Sequence, residues 1–354
     1  MSPVRLPFFA RIALILLAIV LTLFLLTVGK TIFIPLVFAV FFSVLLFPLT
    51  RFLEKLRLGR TIAAMISIVI FVLVVGAVIY FLSIEIVNFS KDLPLLQDKL
   101  TGALNDLQHW IARNYHINKK EQTDYINRST NTMIATAATS LGNIFLSISE
   151  LLLWVVFILI YTFFILFHRR LLTQFVLALF RPEHRQEVYE VVTETRSVIN
   201  SYIIGLLIEM AVVAVAISSV LTLLDVPYAL FIGILVAVLN IIPYIGMYSA
   251  TALSMLITYA NGSGAMVLET GIVLIVIHIL DANVLLPRIV GGRVKMNPFI
   301  TIVAVIIGNL IWGIPGMFLF IPLTGIIKII SERVESLKPW AILIGEEVKE
   351  KEEK

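Results

Sequence analysis

No cysteine occurs anywhere in the chain. That absence excludes disulfides, thiol nucleophiles and thiolate-held metals together. Histidine is nearly as scarce, and the five present show no HExxH or paired-ligand spacing. Gly-rich phosphate loops are missing, as are Ser-His, Ser-Lys and paired-aspartate arrangements, so neither ATP hydrolysis nor intramembrane catalysis is indicated. The sequence reads as no enzyme, with no cofactor and no metal. Charge is short too: 14% of the 354 residues are Asp, Glu, Lys or Arg, against 60% hydrophobic. With a mean hydropathy of +1.02, the chain cannot keep a globular surface wet. The formal net charge of +4 comes from bases scattered between apolar runs, the pattern of topology determinants and not of a nucleic-acid footprint.

What is present is a series of apolar runs. Six of spanning length lie at about 8–28, 31–49, 62–83, 148–167, 202–224 and 265–287, each long enough for a hydrocarbon core about 30 Å thick. The first lacks a small-residue cleavage site and reads as a retained span. Arg51, Lys55, Arg57 and Arg60 crowd the connection between the second and third runs, which the positive-inside rule places in the cytoplasm. The polar stretch 84–147 balances six Lys/Arg with six Asp/Glu and belongs outside. His168, Arg169 and Arg170 then mark a return to the cytoplasm. Both termini are expected there, in a bacterial inner membrane.

Two stretches do not fit this count. Residues 227–260 are broken by "NIIPYIG", and residues 298–328 by "GIPG". A single crossing at the second would put Lys328, Arg333 and Lys338 opposite Arg288, Arg293 and Lys295, against the charge bias. Half of that stretch, about 15 residues, spans only about 23 Å, so two full crossings do not fit either. The expected solution is a pair of re-entrant helical hairpins. One enters from outside with its tip at Pro243 to Gly246, and the other from the cytoplasm with its tip at Gly313 to Gly316. Each follows a full span, and those spans run in opposite directions, which makes an inverted repeat. Broken helices in corresponding halves point to a transport site, because irregular backbone is tolerated at depth only where protein or a watery cavity satisfies it. Separate proline kinks are the structural alternative.

The expected fold is therefore an all-α polytopic membrane protein with about six full spans, two re-entrant hairpins and a small external helical insert. Residues 1–83 hold three N-terminal spans, 84–147 the external insert, and 148–201 the fourth span with a cytoplasmic helix. Residues 202–264 and 265–331 form the two repeat halves, and 332–354 a charged cytoplasmic tail.

The segments "NIIPYIG" (240–246), "LDANVLLPRIVGGRVKMNP" (280–298) and "GIPGMFLFIP" (313–322) resemble the signature of the autoinducer-2 exporter family of bacterial permeases. The likeness extends over most of the chain. It implies multi-pass inner-membrane proteins that export small solutes, quorum-sensing signals among them, with some members acting as sodium or proton antiporters. It also implies homo-oligomeric rings, pentamers included. One departure is Leu206 after Gly205, where a polar Gln is the pattern in many relatives.

Ionisable groups within spans are functional candidates by default. Glu209 lies about two turns inside the fifth span with no base in that span to neutralise it, and is the first candidate for a proton or sodium site. His278 and Asp281, three residues apart, share a helical face and can hold or pass a proton. Glu269 reads as a solvated interface residue. Asn240, Pro243 and Gly246 at the first tip, with Asn309, Gly313, Pro315 and Gly316 at the second, complete the candidate pathway. The asparagines have a plainer reading as partners of opened backbone. Arg288 and Arg293 read as anchors of the cytoplasmic end.

Outside the spans, Leu93, Leu96, Leu100, Leu104, Leu107 and Ile111 recur as an amphipathic stripe, and Val188, Val191, Val192, Thr195 and Val198 make a second. The C-terminal "EEVKEKEEK" is too short and too charged to fold. The function expected is secondary transport of a small solute outward, coupled to proton or sodium, with membrane lipids around it and no nucleic acid. An antiporter and a passive channel built on the hairpins are the alternatives.

Overall fold

The computed structural model describes residues 7–115, 152–243, 245–285, 288–289 and 296–346. The rest of the insert, the start of the fourth span, Arg293, Lys295 and the end of the charged tail lie outside the described residues, as do the side chains of Leu104, Leu107 and Ile111. Among the described residues there are helices and no strand, the expected result where every backbone N–H and C=O must find its partner without water. The protein is an all-α polytopic membrane protein. Among the described residues, seven helices are long and apolar enough to cross a bilayer.

In chain order the helices are α1 (Phe8–Val28), α2 (Lys30–Lys55), α3 (Arg60–Ser90), α4 (Leu93–Tyr115), α5 (Leu152–Ala178) and α6 (Arg185–Leu223). They continue with α7 (Ala229–Leu239), α8 (Ile245–Asn261), α9 (Gly264–Leu280), α10 (Pro298–Trp312), α11 (Ile314–Arg333) and α12 (Lys338–Ile344). The predicted fifth span and the cytoplasmic stripe before it are one helix of 39 residues, because no Gly or Pro interrupts the chain between Arg185 and Asn200. The contacts group the chain into two compact units: residues 72–155 with 209–285, and residues 1–71 with 156–208 and 286–354.

In the first of these units α7 and α8 form a helical hairpin. With 11 residues, α7 is only about 16 Å long and too short to cross a membrane. Its core draws Val213, Ile217 and Leu221 from α6, Phe231, Ile232 and Val236 from α7, Met247, Ala250 and Ile257 from α8, and Leu274 from α9. At Gly233 any side chain would run into Ser218 of α6, so glycine permits this close crossing. Helix α4 packs on α8 and ties down the base of the hairpin. Asp92 accepts from the Tyr228 hydroxyl at 2.6 Å and from Asn261 Nδ2 at 2.7 Å, the residues that precede α7 and end α8. Lys99 Nζ donates to the carbonyls of Tyr259 at 3.2 Å and Gly262 at 3.0 Å.

In the second unit α10 and α11 form the other hairpin. Asn297 caps α10, its Oδ1 accepting from the Phe299 amide at 2.9 Å, with Pro298 in the first turn. The reversal is made at Gly313, whose φ of +64° is open only to residues without a Cβ at low cost. Gly308 and Gly316 face each other so closely that a Cβ on either would meet the other's carbonyl oxygen. The arms are unequal, at 15 and 20 residues. The second outruns the length expected from the apolar stretch because α11 continues through Lys328 and Glu332, paired at 2.7 Å, to Arg333. Trp312, beside the reversal, donates from Nε1 to the Leu26 carbonyl at 2.9 Å, which sets this tip level with the last turn of α1. At the opposite end Arg333 bonds Glu190 at 2.8 Å and Glu194 at 3.2 Å. The chain then folds back, the Asn297 amide donating to the Ile344 carbonyl at 2.9 Å.

Two predictions follow from these contacts. Gly308→Ala or Gly316→Ala forces the hairpin backbones apart, and each is expected to lower stability by about 1–3 kcal/mol in thermal unfolding of the purified protein. Gly76→Ala, with nothing near the added methyl, is expected not to lower the midpoint, since alanine favours helix over glycine. The second prediction concerns pH. The Tyr228 hydroxyl, then the Asn261 amide, hold the Asp92 carboxyl below its ordinary value of 3.8. A depressed native value means the tether contributes fully above about that pH and is lost as pH falls through the lower native one. Wild type is therefore expected to melt above Asp92→Asn at pH 6, with the gap closing on acidification below 3.8.

Candidate functional site

Glu209, Asn240 and Asp281 come from three different helices and meet in the unit that holds the first hairpin. Glu209 projects from α6, and its residue is 5% exposed. Asn240 sits at the C-cap of α7, where its own amide still closes the helix on the Val236 carbonyl at 2.8 Å. Asp281 ends α9 and is 4% exposed. There the helix widens into a π-turn, Asp281–Leu285, a local feature that recurs where helices place functional side chains.

The Asn240 amide joins the two acids. Its Nδ2 donates to Glu209 Oε1 at 3.3 Å and to Asp281 Oδ2 at 3.1 Å, which uses both of its hydrogens. The other oxygens, Glu209 Oε2 and Asp281 Oδ1, are buried without a partner, and so is His278 Nδ1 one turn earlier on α9. No Lys or Arg among the described residues bonds either acid. A cavity of about 10 Å³ opens here, lined by Val213, Ile217, Asn240, His278 and Asp281 among others, and is about large enough for one water-sized guest. Two neighbouring carboxyl groups in an apolar wall cannot both stay charged unless a proton or a cation offsets them.

The expectation that Asn240 serves the opened backbone at the tip is not how the tip is built. The turn closes on itself, the Ile245 amide donating to the Pro243 carbonyl at 2.7 Å and the Gly246 amide to the Ile242 carbonyl at 3.0 Å. Gly246 is buried so closely against the Leu239 carbonyl that a Cβ would overlap it. These contacts leave the Asn240 side chain free for the two acids. Asn309 differs from its supposed counterpart. It is exposed, and only its carbonyl acts at the second tip, accepting from the Gly313 amide at 2.8 Å. Asn309, Gly313, Pro315 and Gly316 belong to the other unit. Glu269 is exposed. Among the described residues no trio of His, Asp or Glu is arranged to hold a metal.

Sequence reasoning named Asn240 beside both acids as a candidate, but not the contact that joins the three. Asn240 stands 31 residues from Glu209 and 41 from Asp281, separations no periodicity reports. The Asp92 tether was missed for the same reason. The amphipathic stripe of α4 announced a packed helix, but not which carboxylate would hold it.

Comparison with known proteins identifies the family. Residues 13–336 match the family described as AI-2E family transporter. The putative transport protein YrrI of Bacillus subtilis is 26% identical over 344 residues, covering 93% of this chain and 96% of the relative. The AI-2 transport protein TqsA of Escherichia coli is 24% identical over 323 residues, covering 90% and 91%. The putative transport protein YhhT of Escherichia coli is 26% identical over 321 residues, covering 89% and 88%.

Removing the bridging amide should expose the cost of the acids it holds. Asn240→Leu is expected to lose about 1–3 kcal/mol of stability. Adding Glu209→Gln to that variant should recover part of the loss, so a double-mutant cycle read by thermal unfolding gives a coupling energy well above additivity error.

Proposed function

Because this chain belongs to the AI-2E transporter family, a family of multi-pass membrane proteins that move small solutes, we propose that it exports a small solute across a bacterial cytoplasmic membrane in exchange for protons or sodium. The observation that carries this reading is the pair of buried carboxyl groups on one amide, with no cation beside them among the described residues. A group that must bind a positive charge to be stable in an apolar wall is what ion coupling requires. In this reading Glu209 and Asp281 take up the proton or sodium. Asn240 holds the two acids in register, and His278 lies within a turn to relay a proton. The small-residue tip at Pro243 and Gly246 is the part of the hairpin that opens toward solute, since irregular backbone at depth lines cavities.

The second tip, with Asn309, Gly313, Pro315 and Gly316, enters this proposal through its likeness in sequence to the first. An even number of passages through α10 and α11 keeps the C-terminal tail on the side of Arg51, Lys55 and Arg57, whether the hairpin is shallow or nearly full depth. The name of the relative TqsA, an AI-2 transport protein, makes a small signalling molecule the first solute to try. A sodium or proton antiporter without an organic solute is the alternative, and it uses the same acids.

Flux in proteoliposomes under imposed proton and sodium gradients tests the coupling. Glu209→Gln is expected to abolish gradient-dependent flux, a loss of at least about tenfold, while the protein still assembles and reconstitutes. Flux in wild type that ignores both gradients would mark a passive pore, and an unchanged ion dependence in Glu209→Gln would remove Glu209 from the coupling site.

A further inference from the structure

A second cavity lies in the unit formed by residues 1–71, 156–208 and 286–354. It measures about 310 Å³, and Phe47 of α2, Arg169 and Arg170 of α5, and Tyr189, Thr193 and Arg196 of α6 contribute to its wall. The charges do not balance. Arg169 pairs with Glu54, donating from Nη2 to Oε1 at 2.8 Å and to Oε2 at 2.5 Å, and that is the one carboxylate bonded to any of the three guanidinium groups among the described residues. Arg169 Nη1 is buried and has no acceptor. Arg196 lies with its guanidinium 4.4 Å from the centre of the Phe47 ring, and Arg169 lies 5.2 Å from the same ring. Contact with one aromatic ring helps to hold both forks in place.

Three arginines and the one carboxylate bonded to them leave a surplus of two positive charges at a concave space. Like charges this close repel each other unless an anion sits between them. A tetrahedral oxyanion matches the geometry of several forks better than a planar carboxylate held by one. The position fits as well, since the basic connection after α2 and the basic end of α5 mark one membrane face.

We infer that the cavity between Phe47, Arg169, Arg170 and Arg196 is a phosphate-binding site. The phosphate belongs either to the headgroup of an anionic phospholipid or to a soluble phosphate. The site holds its ligand by charge and by forked hydrogen bonds, and it is separate from the carboxyl pair that carries the transport proposal. Filling it relieves the repulsion between the arginines and so stabilises the packing of α2, α5 and α6 around Phe47.

Thermal unfolding of the full-length protein in zwitterionic detergent tests this with two probes, inorganic phosphate and phosphatidylglycerol, and phosphatidylcholine serves as the uncharged control. A saturable rise in the midpoint with phosphatidylglycerol alone identifies a lipid headgroup, and a rise with inorganic phosphate identifies a soluble ligand. Either result supports the site if Arg170→Gln and Arg196→Gln each weaken apparent affinity by roughly tenfold or more, as expected for loss of a charged hydrogen-bonding partner. Arg170 is exposed, so its variant folds without repacking and keeps the test decisive. No stabilisation by either anion, or equal stabilisation of wild type and both variants, overturns the inference.

Discussion

Two carboxyl groups buried beside each other are among the least comfortable arrangements a membrane protein can hold, and much of the first hairpin is shaped by accommodating them. Charge at depth is expensive because nothing there replaces the lost hydration. A single amide that donates to both acids offsets part of that cost without adding a base. For Asn240 to do this its side chain must be free of the backbone. That in turn requires a tip that closes on its own carbonyls, a short α7 that ends at this depth, and a glycine at 246 so that α8 can start against Leu239. The π-turn at Asp281 brings the third helix into the same arrangement.

The second hairpin solves a similar problem of reversal by other means. Its turn depends on one left-handed glycine, its arms on the backbone approach of Gly308 and Gly316, and its position on an indole bonded to α1. Nothing in it resembles the shared amide. The two hairpins are alike in sequence makeup at their tips, yet among the described residues the buried acids Glu209 and Asp281 meet only the first of them, through Asn240.

Much of the architecture was legible in the sequence, because length and apolar run report bilayer crossing directly. The spans, the helix starting at Leu93 and the breaks near Pro243 and Gly313 all appear close to where hydropathy and turn residues put them. The arm lengths were less legible. Helix α11 runs on through Lys328 and Glu332, since an i,i+4 ion pair supports helix where hydropathy has already fallen. In the site, the acids announced themselves as charges within apolar runs and Asn240 as a tip residue, whereas the contact between them did not. Asn240 looked like a turn residue because its neighbours are Pro and Gly. Its actual role depends on which helices lie beside it in space, and Asp92 was hidden among ordinary surface charges in the same way.

The bond that Asp92 makes to both ends of the first hairpin has a mechanical corollary. Residues 228 and 261 are fastened to one oxygen, so the two legs cannot splay at their feet without breaking two charge-assisted bonds together. Flexing is then confined to the far end, where the backbone is irregular and Asn240 sits. A hinge pinned at the threshold swings only at the lintel, and here the lintel is where Asn240 meets the two acids.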